Sequence, residues 1–170
     1  MRPIVTLSRC VLGGYLIVHG SQKLFGWFGG RGLDAAGQGF EGMGLTPGRE
    51  MAMLAGGGEL AGGLMTVTGI ADPLGPIALA ASMVVATAVH RKAGPMAAKG
   101  GFELPLTNLA FAALVAATGS SGHRVGPRLH PKLTAVVLAG AGVVSGVALS
   151  KVLTAPPPPE RAAGAATPKA

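Results

Sequence analysis

One carboxylate is placed where a carboxylate is costly. Glu59 is the ninth residue of an apolar run over 51–71. An ionised side chain at the centre of a membrane helix costs about 3 kcal/mol or more. A residue that accepts this cost faces a partner or a cavity. At helical spacing around Glu59 stand Gly56, Gly63 and Thr66, with Gly62 close by. Small residues let a second backbone approach closely. The first apolar run carries a complementary stripe. Arg9, Gly13, Leu16, Gly20 and Lys23 fall at offsets 0, 4, 7, 11 and 14, which is one helix face with a cation at each end. This stripe is expected to pack on the Glu59 face, with Arg9 or Lys23 as the counter-ion. His19 and Gln22 cluster with Lys23 near the far end of the same run. The predicted intramembrane polar site is therefore Glu59, Arg9, Lys23 and His19. It can serve either to fix helix packing or to handle a proton or ligand.

A second polar group sits at an expected membrane face. His90 ends the third apolar run, and Glu103 and Asn108 open the fourth. If those two helices are antiparallel neighbours, His90, Glu103 and Asn108 can line a pocket at headgroup level. Other motifs carry less. Gly37-Gln38-Gly39-Phe40-Glu41-Gly42 matches G-x-G-x-x-G. A dinucleotide site needs a strand before it and a helix after it, and neither is expected, so it reads as a flexible loop. His123 and His130 have no cysteine or acid nearby, and no metal site is expected. Ser120-Ser121 reads as a turn. Cys10 is the single cysteine, so no intramolecular disulfide can form; it reads as a small buried hydrophobe. Gly142, Gly146 and Ser150 form a small-xxx-small face for packing, within the chain or between copies.

The elements that must position these residues are membrane helices. The chain has 170 residues, 49% hydrophobic and only 12% charged, with 29 glycines mostly inside apolar runs. The mean hydropathy is +0.50. Soluble domains carry about twice that charged fraction. Apolar runs predict helices over about 3–28, 51–71, 73–90, 103–119 and 133–151. In lipid every backbone amide must be paired within its segment, and the runs lack the alternation of a barrel strand. The fold class expected is an all-α membrane protein, with four core transmembrane helices and a fifth at the C-terminus. Residues 1–153 form the membrane domain. Residues 33–43 can form a short interfacial helix. The tail over 154–170, with prolines at 156–159, is expected to be disordered. The net charge of +7 comes from Lys and Arg flanking helices, without the basic–aromatic interleaving of a nucleic-acid surface. With five helices, five basic residues fall on one side and nine on the other, which places the C-terminal tail in the cytoplasm.

These residues together resemble the DoxX family of small bacterial membrane proteins. Arg9, Gly13, Gly20 and Lys23 are similar to that family's opening helix. Gly58-Glu59-Leu60-Ala61-Gly62-Gly63-Leu64 is similar to its Gly-Glu-x-x-Gly-Gly segment. Gly100-Gly101-Phe102-Glu103-Leu104-Pro105-Leu106 is similar to its Gly-Gly-Tyr-Glu-Leu-Pro segment, with Phe102 where a Tyr is usual. The resemblance covers roughly 5–128. The family typically has four helices, so the fifth helix and the tail are additions. The resemblance implies a plasma-membrane location and a link to quinone-dependent thiosulfate oxidation or thiol homeostasis. It points to a non-enzymatic subunit or anchor of a redox-associated complex. The alternatives are a small-molecule transporter or channel lined by Glu59, His19 and Lys23, and a quinone-coupled oxidoreductase subunit with quinone near His90 and Glu103. The expected partners are the lipid bilayer, redox proteins or further copies of the chain, and no nucleic acid.

Overall fold

The structure is a computed structural model that describes residues 2–119, 124–126 and 128–154. Six α-helices follow in order: α1 (Arg2–Phe25), α2 (Gly32–Gly42), α3 (Gly48–Thr68), α4 (Leu74–His90), α5 (Glu103–Thr118) and α6 (Pro131–Thr154). No strand occurs among the described residues. This is an all-α membrane protein. Ser120, Ser121, His123 and the tail beyond Thr154 lie outside the described residues.

Local chemistry accounts for most of the helix ends. α1 stops at Phe25, three residues earlier than the apolar run suggested. Gly26 turns to φ +72, and Gly30 donates to the Trp27 carbonyl in a tight turn. α3 ends on Gly69 at φ +72, whose N–H returns to the Met65 carbonyl. That is the left-handed cap glycine adopts without a Cβ penalty. α6 opens on Pro131, where the missing N–H would have no intrahelical partner anyway. α2 is the short helix expected over 33–43. It absorbs the G-x-G-x-x-G motif, which is helical rather than a loop. Gly37 lets α2 lie against the start of α3, since a Cβ there would stand 3.0 Å from the Arg49 Cα.

The core lies between α1, α4 and α5. Leu12 and Leu16 meet Leu79 and Met83, with Ala112 and Val115 from α5. α3 packs on α1, α2 and α4. α6 sits outside this core and packs on α4, where the Ser145 hydroxyl donates to the Ala81 carbonyl at 3.2 Å. Large apolar side chains point outward all round the bundle, among them Ile4, Leu54, Leu114, Val136 and Val143. In water such a surface would aggregate; in a bilayer it faces lipid.

Among the described residues three segments are long and apolar enough to cross a membrane: Pro3–Phe25, Leu74–Ala93 and Pro131–Thr154. α3 and α5 were also expected to span, and their composition or length is less clear-cut. The 21 residues of α3 extend about 31 Å. Its glycines and Glu59 lower its hydropathy, and neighbouring helices cover one side of it. The 16 residues of α5 extend only about 24 Å.

Candidate functional site

α1 and α3 are antiparallel, and glycine holds them close. A Cβ on Gly20 would stand 2.5 Å from the Gly56 carbonyl oxygen and 2.7 Å from the Leu60 nitrogen. A Cβ on Gly13 would stand 2.7 Å from the Gly63 carbonyl oxygen. The seam thus depends on hydrogen in place of methyl at both positions. α3 meets α4 in the same way, where a Cβ on Gly75 would stand 2.6 Å from the Thr66 nitrogen.

One ion pair closes each end of this seam. Towards the α1 C-terminus, Lys23 Nζ donates to Glu59 Oε2 at 2.5 Å. The Glu59 side chain is 7% exposed and that of Lys23 is 22% exposed. At the other end, Arg9 Nη2 donates to Asp72 Oδ1 at 2.8 Å, and both residues are buried. Arg9 Nε donates to the Thr66 carbonyl at 2.8 Å. That carbonyl belongs to the last turn of α3, where carbonyls lack intrahelical partners and a cation meets the negative end of the helix dipole. Val125 N–H takes the neighbouring Thr68 carbonyl. Arg9 Nη1 is buried without a hydrogen-bond partner.

The counter-ion of Glu59 is therefore Lys23, and Arg9 does not reach it. The two cations lie 14 residues apart on α1, about 21 Å along the axis. His19 stands outside both pairs. Its ring lies tilted against Tyr15 with centroids 4.5 Å apart. Asp72, which reads in sequence as one residue of an Ala-Asp-Pro turn, is the partner that sequence reasoning missed. A signal for it existed. Lys23 follows Arg9 by 14 residues and Asp72 follows Glu59 by 13. In an antiparallel helix pair these matched spacings bring both opposite charges into register. Cys10, expected to be buried, is exposed, because the adjacent Arg9 occupies the inward face.

His90 and Glu103 bond separate backbone groups of the α4–α5 loop. His90 Nδ1 donates to the Gly100 carbonyl at 2.7 Å. Glu103 Oε2 accepts from the Ala97 N–H at 2.9 Å. Each side chain braces the α4–α5 loop against its own backbone. Asn108 is half-buried, more than a turn farther along α5. His130 accepts from the Lys132 N–H at 3.3 Å and caps α6.

The Arg9 fork gives a direct test. A lysine there has one head group and cannot engage the Thr66 carbonyl and Asp72 with fixed, forked geometry. Arg9→Lys is expected to lower stability by about 1–3 kcal/mol, through a buried acceptor left poorly paired. Thermal unfolding in detergent measures it, and an unchanged midpoint would contradict the role given to Arg9.

Two shallow cavities flank the clips. One of about 620 Å³ is lined by Asp72, Thr118, Gly119, Arg128, Thr134 and Leu138, among others. The other, about 280 Å³, is lined by Gln22, Lys23, Gly30, Arg31 and Ala36, among others. Among the described residues no cluster of three metal-ligating side chains occurs.

Comparison with known proteins adds the family. No curated protein and no solved structure matches the chain. The DoxX family model matches residues 4–91. That span runs from the start of α1 through α4 and contains both ion pairs, the glycine seam and the Gly-Glu-x-x-Gly-Gly segment. The 100–106 segment and α6 fall outside it. With more than half of its residues matched, this multi-pass membrane chain belongs to the DoxX family.

Proposed function

We propose that the chain is a non-enzymatic subunit or anchor of a redox- or thiol-homeostasis-associated complex in the cell membrane. The observation that carries this reading is the pairing of its buried charges. Glu59 is engaged by Lys23, and Arg9 by Asp72 and the Thr66 carbonyl. Both pairs clamp one close-packed helix pair, so their geometry serves rigidity. The DoxX resemblance supports the redox association. The apolar outer surface of the bundle supplies area for lipid or for a membrane partner.

The transporter reading would need a path past Glu59. That residue is 6% exposed, and the seam beside it is closed by backbone contact. The quinone-coupled reading would need His90 and Glu103 to face a shared ligand, and both are engaged with the α4–α5 loop backbone. The geometry favours the anchor over either.

The test is affinity purification of the full chain from cross-linked native membranes, together with assays on the purified protein. The expected result is a redox or thiol-handling membrane protein held in fixed ratio, whose membrane abundance falls when this chain is deleted. The purified chain alone should neither reduce a quinone analogue nor carry solute into proteoliposomes. Sustained flux or quinone turnover by the chain alone would overturn the reading.

A further inference from the structure

The larger cavity lies between two helices that share a neighbour but have no extended contact with each other. α5 and α6 both pack on α4. The cleft between them runs past the Asp72-Pro73 turn that leads into α4 and is open on one side. Ala116 and Ala117 of α5 and Ala135 and Leu138 of α6 form apolar walls. Its closed end is polar: Thr118 and Thr134 face it, and Asp72 and Arg128 line it. Arg128 is exposed, and its guanidinium lies over Gly119, a glycine at φ +66 where any Cβ would collide with Nη2.

The charge balance at this end of the bundle is one-sided. Arg128 lines the cleft, and Arg124 and Lys132, both exposed, flank its lining residues in the chain. Among the described residues the acid at this end is Asp72, which is buried, is engaged by Arg9, and turns Oδ2 towards the same side of Gly119 as the Arg128 guanidinium, so one carboxylate stands against several cations. The acids Asp34, Glu41, Glu50 and Glu103 lie at the opposite end, on α2, the start of α3 and the start of α5. This end of the bundle therefore carries an excess of positive charge.

We propose that the α5–α6 cleft binds one anionic phospholipid. An acyl chain lies between Ala116 and Leu138, and the phosphate sits against Arg128, with Lys132 and Arg124 adding long-range attraction. A free phosphate would satisfy the cations and leave the apolar walls uncovered. A zwitterionic lipid would cover the walls and bring its own cation to the positive mouth. The combination of an apolar slot and a rim with more cations than acids fits an anionic lipid.

Native mass spectrometry of the full-length protein, titrated with phosphatidylglycerol or phosphatidylcholine of matched chains, tests this. Phosphatidylglycerol is expected to occupy one site in preference to phosphatidylcholine. One basic residue near a membrane surface accounts for roughly a fivefold change in affinity, so Arg128→Gln should weaken phosphatidylglycerol by about that factor. Lys92→Gln, at the other end of the bundle, should not. Ala135→Trp should obstruct the slot and reduce lipid retention with Arg128 intact. Glycerol phosphate should fail to compete at concentrations that saturate the lipid. Equal retention of both lipids, indifference to Arg128→Gln, or effective competition by glycerol phosphate would each overturn the proposal. Arg128 is exposed but lies against Gly119 near Asp72, so thermal unfolding of Arg128→Gln checks that a loss of lipid is not a loss of fold.

Discussion

Replacing Lys23 with methionine is expected to destabilise the protein by about 3–5 kcal/mol, and replacing Glu59 with leucine in the same chain is expected to restore most of that loss. The single change leaves a carboxylate that is 7% exposed, beside glycine backbone, without its cation. Desolvation of that charge then has no compensation. The double change removes both charges and leaves apolar groups of similar bulk. Buried ion pairs replaced as a whole by hydrophobes are often neutral or stabilising, whereas half-pairs are not. Denaturant or thermal unfolding of the two variants in one detergent gives the comparison. The double variant also separates two roles of the site. If it folds and still supports the partner's membrane abundance, the pair serves packing. If it folds and that support is lost, Glu59 or Lys23 acts in its own right. Equal instability of the single and double variants would mean that the charges are not coupled in the way the geometry indicates.

Gly20→Leu should be the most damaging change on the α1–α3 seam. Even Gly20→Ala puts a methyl 2.5 Å from the Gly56 carbonyl, and inserting methylenes into a close-packed site costs about 1–3 kcal/mol. Leucine adds far more volume at a place where both obstacles are backbone. α1 must then move away from α3, and Lys23, one turn on, must lose Glu59. The expected outcome is loss of a monodisperse folded species in detergent. Gly14→Ala is the control. It lies on the same helix, and its added Cβ would meet nothing within 4 Å. Its effect should stay within about 0.5 kcal/mol, as for surface substitutions generally. A similar loss in both variants would show that glycine matters here for flexibility rather than for approach.

The α1–α3 pair was legible in sequence because its signal is redundant. Glycine spacing, the lone carboxylate and the flanking cations all specify the same face. The identity of the counter-ion was not legible from those residues alone, since depth depends on register, and register needed Asp72. An Ala-Asp-Pro tripeptide between two apolar runs has every property of a solvent turn. Only burial distinguishes it, and burial is a property of the folded bundle. His90 and Glu103 show the opposite case. Sequence placed them at one membrane face, and in the bundle they flank the α4–α5 loop. Their hydrogen bonds go to the nearest backbone groups of a glycine-rich loop, which no side-chain pattern announces. The open space between α5 and α6 had no sequence signature, because it arises from the way both helices choose α4.

The order of the charges along the chain has a consequence for biogenesis. Both paired cations of α1 are synthesised before the acids they will meet: Lys23 precedes Glu59 by 36 residues, and Arg9 precedes Asp72 by 63. At about 5–20 residues per second, Arg9 waits roughly 3–13 s for its partner. A nascent first helix with two unmatched cations must keep them near the headgroups in that interval. It can settle into the bundle only when the third helix has arrived, so lateral docking of α1 is a late event of insertion rather than its first.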